Sequence, residues 1–100
     1  MELKINQISD KQLEIQLIGR MDTVAAGEAE KDILAALPGV ECVTINCAEL
    51  FYVASAGLRT FLLIKKKMDE SKGQLTITRL CPDVEEVFKL TGFNTILRIE

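Results

Sequence analysis

Leu50-Phe51-Tyr52-Val53-Ala54-Ser55-Ala56-Gly57-Leu58-Arg59 is the stretch on which the reading of this chain turns. An apolar segment delivers a turn of small residues, and the turn feeds an amphipathic helix. Leu58, Phe61, Leu62, Ile64 and Met68 supply the helix's apolar face, while Lys65, Lys66 and Asp69 supply its wet side. Ser71-Lys72-Gly73 is its stop. Ser55 falls where the N-cap is expected, with Leu50, Phe51, Tyr52 and Val53 packed inward ahead of it. Gly57 in the first turn sacrifices roughly 1 kcal/mol of helix propensity relative to alanine. One reason to accept that loss is close approach by another backbone or another protein.

Upstream, Leu3, Ile5 and Gln7, then Leu13, Ile15 and Leu17, alternate with polar residues across the break Ser9-Asp10-Lys11. Period two with a polar interruption predicts a β-hairpin. Asp22 or Thr23 caps the first helix, whose inner stripe is read as Ala25, Ala29, Ile33 and Leu37 and whose end is Pro38-Gly39. Cys42 to Cys47 predicts an interior strand, and Ala48 to Val53 a connection. Downstream, Leu75 to Thr78 predicts a strand. Pro82 opens a third helix with Asp83, Glu85 and Glu86 in its acidic start and Val84, Val87, Phe88 and Thr91 inside. Gly92 ends that helix, and Ile96 to Ile99 forms a last strand.

The predicted order is β-β-α-β-α-β-α-β over one domain, residues 1–100. This is an α/β fold with a mixed, mostly parallel sheet and an antiparallel N-terminal hairpin strand. Right-handed crossovers place successive helices on one face when the strand order does not reverse.

Composition narrows the function. With 12 Lys and Arg against 15 Asp and Glu, the net charge is -3, which argues against a nucleic-acid binder. The one basic run, Lys65-Lys66-Lys67, reads as a solvated helix face. Histidine is absent, which removes the commonest general base and metal ligand. No metal site, cofactor or catalytic residue is therefore expected, and Ser55 has no neighbouring base to make it a nucleophile. Cys42, Cys47 and Cys81 have neither zinc nor redox spacing, and they read as reduced, largely buried thiols of a cytoplasmic protein. No stretch reaches the ~20 apolar residues of a membrane span, so no membrane insertion is expected.

Ser55 admits two readings from its surroundings. Serine is a favoured N-cap, and a turn of small residues can serve packing alone. Alternatively, a phosphate on Ser55 would lie at the positive end of a helix, near unpaired N–H groups and Arg59. The domain would stay folded while the added charge opposed an apolar or acidic partner.

The chain resembles the STAS domain family, which includes sulfate-transporter tails and anti-sigma factor antagonists. The resemblance spans nearly the whole chain. It rests on Ile18-Gly19-Arg20-Met21-Asp22, Val43-Thr44-Ile45-Asn46, Phe51 to Arg59, Gly73-Gln74-Leu75-Thr76-Ile77 and Val87 to Phe93, in that order. The antagonists typically carry Asp-Ser-Ser-Gly-Leu, whose first serine accepts the phosphate and maps onto Ser55. Their aspartate near that serine maps onto Asp22. Ala54 and Ala56 stand where the family often has aspartate and the second serine.

The resemblance implies an anti-sigma factor antagonist that binds an anti-sigma factor acting as its serine kinase. Phosphorylation of Ser55 switches the antagonist off, and a PP2C-type phosphatase resets it. The implied docking surface joins Asp22, Thr23, Ala54, Ser55, Ala56, Gly57, Leu58 and Arg59, on a monomer or weak dimer. The alternative implied by the same family is a non-switching accessory subunit of an ABC-type lipid-transport complex.

Overall fold

The computed structural model describes residues 1–100. Two antiparallel strands open the chain, β1 (Glu2–Ser9) and β2 (Gln12–Met21), joined by a tight turn at Asp10-Lys11. Helix α1 (Thr23–Ala36), strand β3 (Cys42–Val53), helix α2 (Ser55–Glu70) and strand β4 (Gln74–Thr78) follow. Helix α3 (Pro82–Leu90), a single-turn helix α4 (Phe93–Ile96) and strand β5 (Arg98–Ile99) complete it. The five strands lie in the order β1-β2-β3-β4-β5, antiparallel at the first pair and parallel thereafter. Except for α4, this is the element order expected from the sequence.

Period two decides which face of the sheet is covered. Leu13 and Ile15 of β2 pair in register with Val43 and Ile45 of β3, which pair in turn with Leu75 and Ile77 of β4, and Leu17 continues the same face of β2. All are buried, while Glu14, Gln16, Thr44, Asn46, Thr76 and Thr78 between them keep contact with water. The strand order never reverses, so right-handed crossovers lay the helices on the apolar face. There Thr60 of α2 donates its hydroxyl to the Ala26 carbonyl of α1, and Phe61 of α2 meets Phe88 of α3 edge to face at 5.4 Å. One cluster of 22 buried apolar residues results.

Four local expectations are corrected. The inner stripe of α1 is Ala26, Ala29, Ile33 and Leu37; Ala25 lies at its margin. Thr91 faces water, because it is the C-cap of α3 and turns its hydroxyl back to the Val87 carbonyl. Ile96 belongs to α4, so β5 has two residues.

The fourth correction matters for function. Residues 48–53 are strand, not connection, and β3 runs to Val53. It pairs with β2 through two irregularities, first where Gln16 and Ile18 face Asn46 and Glu49, then where Gly19 and Arg20 face Leu50 and Tyr52. Each gives β3 one residue more than β2, as a bulge does. The inward positions therefore fall at Cys47, Leu50 and Val53, at spacing three, and Phe51 and Tyr52 turn outward at 62% and 40% exposure. Arg20 lies over the Tyr52 ring at 4.3 Å and covers part of it.

The three thiols are unpaired. Cys42 and Cys81 are half-buried; Cys47 is fully buried, and desolvation together with the neighbouring Cys81 raises its thiol from 9.0 to about 12. Its thiolate is thus tolerated better in the unfolded chain. Sign and window follow: stability is undiminished below pH 9.0 and falls as pH rises from there toward about 12. Replacing Cys47 by alanine, at the expense of a small cavity, is expected to flatten that alkaline decline, measured by urea denaturation at stepped pH.

Candidate functional site

The carboxyl ends of β2 and β3 lead directly into α1 and α2, so both helices start at the same edge of the sheet. The two turns are tied together. The Ala54 N–H donates to the Met21 carbonyl at 2.8 Å, one residue before α2 begins and two before α1. Asp22 is the N-cap of α1, and its carboxylate accepts from the Ala25 N–H at 2.8 Å. This is the cap anticipated from the sequence, with Asp22 rather than Thr23 as the capping residue.

Helix α2 starts differently. Its N-cap is Ala54, in extended conformation, with no side chain to accept a hydrogen bond. Ser55 is the first helical residue rather than the expected N-cap, so the helix starts one residue earlier, and Ser55 is exposed. The Ala54 carbonyl receives the N–H groups of Gly57 and Leu58, at 2.9 and 3.1 Å. The N–H groups of Ser55 and Ala56 lie too early in the helix to reach an intrahelical carbonyl. No acidic residue occupies the first turn of either helix. The positive end of α2 is thus uncompensated beside an exposed hydroxyl. Arg59, one turn further on and also exposed, forms no ion pair.

Gly57 has a different reason from the one read in the sequence. It is buried, and a Cβ built there would lie 2.8 Å from Val53 Cγ1 and 3.0 Å from Met21 Sδ. The close approach is internal: the first turn of α2 is pressed onto the ends of β2 and β3. Gly57 therefore seats the turn and offers no surface of its own.

Of the eight residues singled out, Asp22, Thr23, Ser55 and Arg59 are exposed, Ala54, Ala56 and Leu58 are half-exposed, and Gly57 is buried. All eight occupy the starts of the two helices. Sequence reading missed Val24, 71% exposed in the first turn of α1, and the outward Phe51 and Tyr52 on the strand that ends at Ala54. An apolar residue one position off the α1 stripe was the available signal for Val24. For Phe51 and Tyr52 there was none, because their outward direction is set by the bulges. The edge is not a cleft. An open α/β sheet forms a crevice where its strand order reverses, and this order does not. Neither of the two surface concavities includes Ser55. No group of side chains here could hold a metal ion, and no helix is long and apolar enough to cross a membrane.

A five-stranded mixed sheet with one antiparallel edge and an exposed serine at a tied pair of helix starts defines an open α/β domain whose strand order does not reverse. Residues 4–100 match the model of the STAS domain, and the chain belongs to that family. It is 33% identical over 100 residues to BtrV of Bordetella bronchiseptica, a protein provisionally named an anti-sigma factor antagonist; the match covers 99% of this chain and 85% of the relative. Among solved structures, the anti-sigma factor antagonist SpoIIAA in its unphosphorylated form superposes with a TM-score of 0.88 at 19% identity, over 99% of this chain and 88% of that one. The phosphorylated form of SpoIIAA, described as a Bacillus cell fate determinant, gives 0.80 at 18% identity over 99% and 91%. An anti-sigma factor antagonist from Mycobacterium paratuberculosis gives 0.85 at 18% identity over 98% and 83%.

Two sets of variants separate the roles at this edge. Asp22→Ala is expected to lower stability by about 1 kcal/mol, and Asp22→Asn to leave it nearly unchanged, because the amide oxygen still caps α1. Gly57→Ala is expected to destabilise by about 1–2 kcal/mol, since the overpacking against Val53 and Met21 outweighs the gain in helix propensity. Chemical denaturation reads both.

Proposed function

We propose that the chain is an anti-sigma factor antagonist, docking through the starts of α1 and α2 onto an anti-sigma factor that is also a serine kinase. Ser55 is the phosphate acceptor, and a PP2C-type phosphatase restores the free hydroxyl. The chain itself catalyses nothing and needs no cofactor. The observation that carries this reading is the start of α2: an exposed serine at its first position, with no capping side chain and no acid in the first turn. The relatives support it in kind, one by its assigned role and the structural neighbours by their fold.

The physics of the switch follows from that start. A phosphate on Ser55 carries about -1.5 to -2 charge at neutral pH and three acceptor oxygens. The orphan N–H groups of Ser55 and Ala56 and the positive end of α2 are favourable neighbours for it. The fold accommodates the modification, while the docking edge of Val24, Ala54, Ala56 and Leu58 acquires a dense negative charge. An apolar or acidic partner surface that covered the neutral serine would have to bury that charge. Burying an unpaired charge is strongly unfavourable.

Ala54 acquires a definite meaning here. The carboxylate that many family members have at this position would sit at the N-cap of α2 and compete with a phosphate for the same N–H groups. In this chain those donors remain free for the phosphate. Ala54→Asp is therefore expected to stabilise the unmodified protein by about 1 kcal/mol and to slow phosphorylation by the cognate kinase.

The deciding experiment is binding to that kinase by calorimetry, with phosphate located by mass spectrometry. Ser55→Ala is expected to bind but accept no phosphate, and Ser55→Asp to bind at least about tenfold more weakly, a loss of ~1.4 kcal/mol. If Ser55→Asp binds as tightly as the unaltered chain and no phosphate appears at Ser55, the switch is refuted. Constitutive co-purification with an ABC-type ATPase would then assign the same edge to the non-switching accessory role.

A further inference from the structure

The larger of the two concavities lies at the far end of α1 and α2 from Ser55. Leu34 and Leu37 at the end of α1 form one wall, the connection Pro38-Gly39-Val40-Glu41 the floor, and Lys67, Met68 and Ser71 at the end of α2 the other wall. Its volume is about 550 Å³. That is within the roughly 300–1,000 Å³ range of small-molecule sites. The groove owes its existence to Pro38-Gly39. Gly39 takes a φ of +82°, which turns the chain away from α1 before it enters β3 and leaves the ends of the two helices unbridged.

The charges at the rim are unequal in their engagement. Glu41, the one acid lining the groove, is paired with Lys11 at 3.4 Å. Lys65 is held by Asp69 at 2.8 Å. Lys67 lines the groove and enters none of the chain's five ion pairs. Its place in the last turn of α2 suits the helix dipole, but that long-range attraction leaves its ammonium donors unused. A trough lined by apolar residues and by an unpaired lysine, beside an acid that already has a partner, is complementary to a monoanion with a hydrocarbon body. A phosphate dianion would leave the apolar walls of Leu34, Leu37, Val40 and Met68 unmatched and would bring excess charge toward Glu41.

We propose that this groove binds a small amphipathic monocarboxylate, its apolar chain against Leu34, Leu37, Val40 and Met68 and its carboxylate on Lys67. Neither the groove nor its chemistry depends on Ser55. The run Lys65-Lys66-Lys67 thereby divides by role, with Lys65 paired on the helix surface, Lys66 solvated and Lys67 serving the groove.

The test is amide-resolved NMR titration of the full chain with octanoate, octanol and octylammonium below their micellar concentrations. Octanoate is expected to give saturable shifts at Val40, Lys67 and Ser71, to bind at least about tenfold more tightly than octanol, and to exceed octylammonium by more. Lys67→Glu, at an exposed position where folding is checked by an unchanged spectrum elsewhere, is expected to weaken octanoate at least about tenfold. Lys67→Gln should fall between. The proposal is overturned if octanoate produces no saturable shifts at the groove, if octylammonium binds as well as octanoate, or if Lys67→Glu leaves its affinity unchanged. No partner protein enters the measurement, so a negative result leaves the reading of Ser55 untouched.

Discussion

The contact on which the arrangement depends is the seating of the first turn of α2 on the ends of β2 and β3. Gly57 has no side chain, and Val53 and Met21 occupy the space a Cβ would need. The Ala54 N–H to Met21 carbonyl bond fixes the same junction through the backbone. Together they set how far α2 stands from the sheet, and they bring the start of α2 beside the Asp22 cap of α1. A larger residue at 57 would lift the turn and carry Ser55 with it. The position of the serine is thus decided by a buried residue two positions further on.

The two helix starts resolve the same problem in opposite ways. Every helix begins with N–H groups that lack an intrahelical acceptor. In α1, Asp22 supplies an oxygen at 2.8 Å. In α2, Ala54 supplies none. Capping is typically worth about 1 kcal/mol, so the uncapped start forgoes stability that a single carboxylate would provide. What it retains is a set of free donors and a positive helix end next to an exposed hydroxyl. A group that adds negative charge there stabilises the helix terminus while changing the character of the surface. A cap already in place would have blunted both effects.

Much of this was legible in the sequence, and the failures share a cause. Strict alternation in Leu13-Ile15-Leu17, Val43-Ile45 and Leu75-Ile77 identifies the covered sheet face, because two residues per repeat is the geometry of a regular strand. The alternation ends where β3 gains a residue on β2, and then gains another. Past that point Cys47, Leu50 and Val53 point inward at spacing three, a pattern that local reading assigns to a connection with all four of Leu50 to Val53 inside. A bulge is a property of two strands, so one strand's sequence does not display it. The one-residue offset at Ser55 has a related origin. Serine's preference for the N-cap favours position 55, whereas the bond from the Ala54 N–H to β2 holds residue 54 in extended backbone and starts the helix after it. Gly57 was read as leaving room for another backbone or another protein, whereas the groups that approach it are the side chains of Val53 and Met21, which only the packing reveals.

The monotonic strand order explains why the features of this molecule gather at the helix ends. In a doubly wound sheet, reversal of the order splits the helices between two faces and opens a crevice at the carboxyl edge for a small ligand. Here the order runs in one direction, and neither concavity lies at the edge where the two helices start. The larger concavity lies where α1 and α2 end without filling the space between them. Pro38-Gly39 creates that condition by cutting α1 short, at the opposite end of the pair. Both helices therefore run from starts beside Ser55 to ends that border the groove. The chemistry at each end follows from what the helix termini leave unpaired: N–H donors beside Ser55, and the Lys67 ammonium beside the apolar ends of α1 and α2.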